Sequence, residues 1–152
     1  MTKRSSAARQ TGANDATHWV SYDYAVLRVV PHVYVGAFAP IGVMVHARTA
    51  EYLAIRTLDD AVLLRSRAAG VDPELLTRYL RVYRAVCEGD ASAGPVALAP
   101  TSERFHWLTA PRSDVLQSSP VHEGLSADPR AALDELYVRF VEAPEERAPP
   151  ER

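Results

Sequence analysis

The segment from Asp72 to Gly89 constrains the fold more than any other part of the chain. Asp72 followed by Pro73 is a helix start: a capping carboxylate, then a ring whose φ is already helical. Gly89 is a helix stop, able to take the left-handed conformation in which helices commonly end. Between them Leu75, Leu76, Tyr79, Leu80, Tyr83, Val86 and Cys87 recur on one face, and Arg78, Arg81 and Arg84 fall opposite, as a solvated stripe. Such a helix has one flank that other elements must cover.

The cover is expected upstream. Residues 19–30, WVSYDYAVLRVV, are rich in β-branched and aromatic side chains with partial alternation, and read as a strand ended by Pro31. HVYVGA is a connection. APIGVMVHA is a second strand centred on Ile41 to Val45, in which Gly42 marks a bulge or a close backbone approach. EYLAIRTL is a third, with Tyr52, Ala54 and Arg56 alternating against Leu53, Ile55 and Leu58. Short connections between three successive strands favour an antiparallel meander.

Asp59 or Asp60 caps a helix over AVLLRSRAA that Gly70 stops. Residues 90–101 are small and proline-punctuated, hence a surface loop. RFHWLT and DVLQS are expected as two further strands, joined as a hairpin through Ala110, Pro111 and Arg112. Asp128 and Pro129 repeat the helix start, with Ala132, Leu133, Leu136, Tyr137, Phe140 and Val141 as the buried stripe. The fold class is α+β: an antiparallel sheet of about five strands, three N-terminal and two central, packed against two to three helices. Residues 1–18 and 144–152 lack periodicity and are expected to be disordered tails around one domain over 19–143.

At 152 residues with 47% hydrophobic side chains the chain can bury a real core. A net charge of −2 offers no general attraction for nucleic acid or an anionic membrane, and neither is expected as a partner. No apolar run approaches the roughly 20 residues needed to span a bilayer, and the start has no signal-peptide pattern. The one cysteine, Cys87, excludes an internal disulfide and lies on an apolar helix face, so it reads as core rather than nucleophile. The cytoplasm is the expected compartment.

The chemistry concentrates between Glu103 and Leu125. Arg104 and Arg112 each offer a forked donor for phosphate or carboxylate, and His106, Thr109, Ser113 and His122 would complete a shell. Pro111 should give Arg112 a rigid support. The competing reading pairs the two arginines with Glu103 and Asp114 on the surface. His46, His106 and His122 with a carboxylate lack the close spacing of a metal site, so no metal and no cofactor are expected. Ser113, Ser118 and Ser119 lack the strand-turn-helix context of an activated nucleophile.

Four blocks in order, YDYAVLRVVP, GVMVHA, SERFHWLTAPRS and SPVHEGL, resemble the bacterial family called domain of unknown function 3037, from about Tyr22 to Val141. Members of that family are often encoded beside HipA-type kinases, and the resemblance therefore implies such a kinase as a protein partner. This chain departs from the pattern before Gly42, where Pro40 stands in place of an Asn. Two functions stay open. The first is a small binding or regulatory module acting through a protein partner, with an anion site in 103–125. The alternative is a small enzyme or nucleotide-responsive domain using the same His, Arg and Ser residues. With no complete catalytic constellation, the first is preferred.

Overall fold

The computed structural model describes residues 18–32, 37–112 and 115–142. Its elements are β1 (Val20–His32), β2 (Ala37–Ala47), a 3-10 turn (Arg48–Ala50), β3 (Tyr52–Thr57), α1 (Ala61–Arg67) and α2 (Pro73–Glu88). Two more 3-10 turns (Ala91–Ala93, Pro95–Leu98) lead to α3 (Thr101–Thr109), β4 (Leu116–Ser118), β5 (His122–Ser126) and α4 (Pro129–Tyr137), which runs into a π turn over Val138–Glu142. The tails expected over 1–18 and 144–152 lie outside the described residues, His18 excepted.

The sheet is antiparallel and five-stranded, with β1 at its centre. β2 pairs with one edge of β1 from Asp23↔His46 onward, and β3 follows on the far side of β2. The other edge of β1 is shared by two short strands end to end: β5 along Val20 to Tyr24, and β4 along Leu27 to Val29. Ser119 joins them. Its N–H donates to the Val26 carbonyl and its Oγ accepts from the Val26 N–H, both at 2.8 Å. A serine suits this place because Pro120 follows and has no N–H to continue a ladder.

Alternation along the strands sends successive side chains to opposite faces. On one face lie His46, stacked on Phe105 of α3, and Thr57, whose hydroxyl accepts from Arg84 of α2 at 2.6 Å. On the other, Arg56 bonds Asp134 of α4 at 2.9 Å, and Tyr24 meets Phe140. The sheet is therefore covered on both faces, which explains why Leu27, Val29, Met44, Val43 and Val45 are all fully buried. Gly42 does what its place in a strand suggests. A Cβ there would lie 3.0 Å from the Arg56 carbonyl oxygen and 3.1 Å from Thr57 Cγ2, and the β1–β2 register jumps from Leu27↔Gly42 to Arg28↔Pro40 beside it.

The capping signals hold. Asp60 accepts from the N–H of Val62 and Leu63, Asp72 from Glu74, and Asp128 from Arg130. Five expectations change. RFHWLT is not a strand but most of helix α3, so the expected hairpin with DVLQS does not form; β4 pairs with β1 instead. Phe105 and Leu108, three apart, are the buried pair, and Thr109 Oγ1 donates back to the Phe105 carbonyl at 2.9 Å. The second central strand is His122–Ser126, too polar and too short to show a period. β1 runs through Pro31 to His32, where its register with β2 is irregular. The 90–101 loop is wound into 3-10 turns that bury Ala97, and Arg84 is tied to Thr57 rather than solvated.

Leu80 is 3% exposed in the middle of α2. Leu80→Ala should lower stability by about 2–5 kcal/mol in denaturant melts. A loss under about 0.5 kcal/mol would contradict this packing.

Candidate functional site

The residues expected to form an anion shell are dispersed by the fold. Arg112 is held rigidly, but by the protein's own acceptors: its Nη1 donates to the Tyr83 hydroxyl at 2.8 Å and its Nη2 to the Trp107 carbonyl at 2.6 Å. The guanidinium also lies 4.3 Å from the Trp107 ring centroid, a cation–π contact. Arg104 turns toward the end of α2. Its Nη1 points at the Ala97 carbonyl at 3.4 Å and fills the space over Gly89, where a Cβ would come within 2.7 Å of it. Gly89, at φ 76°, ends α2, so the cation complements that helix's exposed carbonyls. His122 stands on the α4 face, its ring 5.4 Å from that of Tyr24. Ser113 lies outside the described residues.

Of the five that are described, His106 and Thr109 line a common cleft, of about 540 Å³, between the sheet and α3. Its floor comes from the strands. Register sets Glu123 of β5 opposite Asp23 of β1, and Asp23 opposite His46 of β2, so the three lie in one row across adjacent strands on the α3 face. Ser102 and Phe105 of α3 and Arg48 and Thr49 of the 3-10 turn complete the wall.

The row is electrostatically unbalanced. Directly opposed residues on antiparallel strands have Cβ atoms about 4.5–5.5 Å apart, and like charges there are destabilising. Among the described residues neither the Asp23 nor the Glu123 side chain has a hydrogen bond or an ion pair; the ion pair within 4.0 Å is Arg56 with Asp134, on the other face. His46 is 4% exposed, and its Nε2 lies 3.2 Å from Thr101 Oγ1. Burial pushes its pKa below the usual histidine value, opposed by Asp23 and assisted by Arg48 and Arg104. It is a neutral, polarisable wall beside two carboxylates.

Chemically, the cleft suits a cationic group and offers little for covalent catalysis. Thr101, the hydroxyl nearest His46, is not among the lining residues. Cys87 is shut away, its thiol pushed up to about 12 by burial, and Ser119 is committed to Val26. Among the described residues no three His, Cys, Asp or Glu side chains form a group that could hold a metal ion, and no helix is long and apolar enough to cross a membrane.

The floor was partly within reach of the sequence. Asp23 interrupts an apolar strand in the same phase as Ala25, Leu27 and Val29, and an inward-phased charge is a signal in itself. That Glu123 and His46 flank it follows from register, which no local pattern encodes.

Two substitutions probe this geometry. Arg112→Ala should destabilise the fold by about 1.5–3 kcal/mol, as expected for charge-assisted hydrogen bonds, with Arg112→Lys restoring little. A denaturant midpoint unchanged in Arg112→Ala would show the guanidinium is not fastened. For His46 the lowered folded pKa means the unfolded chain binds the proton more readily. Its contribution is therefore complete above the unfolded value of about 6.5 and is lost as pH falls through that value toward the folded one. The drop in Tm between about pH 7.5 and 5.5 should be larger in the native protein than in His46→Gln. Equal drops would contradict it.

No curated protein and no solved structure matches the chain. A family match covers residues 24–141, from the centre of β1 to the π turn, and so includes β2, α3, β5 and most of the cleft. The chain belongs to the family described as Protein of unknown function (DUF3037).

Proposed function

We propose that this domain is a non-catalytic binding module, and that its cleft takes a cationic side chain of a partner protein. The observation that carries this is the Asp23–Glu123 pair: two carboxylates set opposite each other across adjacent strands, neither in an ion pair among the described residues, on the floor of a cleft whose wall carries a single cation, Arg48. An arrangement that weakens the sheet yet is built into its register suits a site completed by an arriving positive charge. A lysine or arginine entering there would relieve the repulsion and gain charge-assisted hydrogen bonds.

This reading exchanges the sign of the expected ligand. The guanidiniums of Arg104 and Arg112 spend donors on Ala97, Tyr83 and Trp107, while His106 and Thr109 face carboxylates, which repel phosphate. The enzymatic alternative has in its favour that His46 and His106 share the cleft, but no hydroxyl or thiol is paired with either histidine inside it. A HipA-type kinase, in the cytoplasm, is the partner implied by the family resemblance, and basic residues on its surface are the features such a cleft would engage.

The test is an array of ten-residue peptides differing in charge, probed with the full chain. Basic peptides should be enriched, and Asp23→Asn and Glu123→Gln should each reduce that enrichment about tenfold, equivalent to ~1.4 kcal/mol. The same substitutions should raise stability by about 0.2–1 kcal/mol, because they remove a like-charge pair. Enrichment of acidic peptides, or basic enrichment that survives both substitutions, overturns the proposal.

A further inference from the structure

Strand β5 is an open edge. Among the described residues its ladder partner is β1, and no backbone hydrogen bond reaches its outer side. The strand also carries an unusual row of side chains. Val121, Glu123 and Leu125 alternate onto the face that bears the cleft, and Val121 and Glu123 line it. Val121 is 45% exposed and Leu125 67%, and Trp19, in the same phase at the start of β1 as Ser21, which pairs with Leu125, is 62% exposed. Read along the edge, the order is apolar, acidic, apolar, with a tryptophan beyond. Open edges with apolar side chains are templates for an added strand.

The charge selects the occupant. A second copy of this chain pairing edge to edge through β5 would bring two Glu123 carboxylates toward one seam, each backed by Asp23 on the neighbouring strand, and is disfavoured by repulsion. An extended segment of a different protein has no such conflict. In an added strand, side chains at i, i+2 and i+4 project onto one face, beside Val121, Glu123 and Leu125. Complementarity then requires apolar, basic, apolar at those three positions.

We infer that β5 recruits its partner by strand addition, taking an extended segment whose alternate residues are apolar, basic and apolar, with the basic side chain entering the cleft over Asp23 and Glu123. The inference deepens the binding reading above and rests on it. Backbone hydrogen bonds along the edge supply sequence-independent affinity, and the cleft supplies the preference for a positive charge.

The probe is a seven-residue peptide alternating threonine with valine, arginine and valine, titrated into the full chain and followed by the amide resonances of residues 121–127. Saturable binding with new hydrogen-exchange protection within His122–Ser126 is expected. Replacing the arginine by norleucine should weaken binding at least tenfold, and that discrimination should vanish in Glu123→Gln. N-methylating alternate peptide amides, in either phase, should weaken binding at least tenfold in the phase that faces the edge. If both N-methylated peptides bind as well as the parent while the arginine preference persists, strand addition is overturned and the cleft reading stands. If no peptide shows an arginine preference, both are overturned. Self-association through β5 in place of peptide binding, seen as concentration-dependent sedimentation that Glu123→Gln strengthens, would show the glutamate to be only a guard against edge pairing and overturns the inference.

Discussion

The two-sided pairing of β1 is the constraint on which the rest of this protein depends. β1 is hydrogen-bonded to β2 along one edge and to β4 and β5 along the other, so the middle of its backbone is paired on both sides and both of its faces are available for packing. α2 and α3 cover one face and α4 the other. A strand in that position fixes three registers at once. A slip of one residue against any neighbour would exchange the contents of the two faces, placing Asp23 under α4 and Tyr24 under α3. Ser119 serves the same end, closing the gap between β4 and β5 with its own hydroxyl where Pro120 prevents the ladder from continuing.

The arginines show how the same residue type is put to different uses by position. Arg112 and Arg104 are intramolecular fasteners, one tying the segment after α3 to α2 through Tyr83, the other covering the end of α2 at Gly89. Arg84 secures the rim of β3 through Thr57, and Arg67 reaches the carbonyl of Pro40. Arg56 and Arg130 lie over tyrosines at the α4 interface. Of these cations, Arg56 is in an ion pair, with Asp134; among the described residues Asp23 and Glu123 have no such partner, although Arg48 stands on the wall of their cleft.

The cleft and the open edge also share a physical logic. Proteins usually protect an exposed edge by keeping it short and by placing charge on it, and β5 has both features. On the proposed reading, those features leave the strand available to a partner of opposite charge while discouraging a copy of itself. Specificity of this kind comes from repulsion of the wrong partner as much as from attraction of the right one.

Local chemistry was sufficient to read the helices α1, α2 and α4 from the sequence, because a cap, a proline, a glycine and a 3.6-residue stripe are properties of neighbouring residues. The strands β1, β2 and β3, the core position of Cys87 and the close approach at Gly42 were readable for the same reason. The sequence by itself therefore determined the class of fold, its central sheet and its best-packed helix. Tertiary structure decided the rest. α3 is nine residues long with two of them buried, so its aromatic content mimicked a strand until packing against the sheet set its period. β5 is five residues long, with His122 on one face and Glu123 on the other, and is a strand only because β1 offers it an edge. The site was lost with them: Asp23, Glu123 and His46 are separated by tens of residues, and it is register, a relation between strands rather than a property of any one, that sets them side by side.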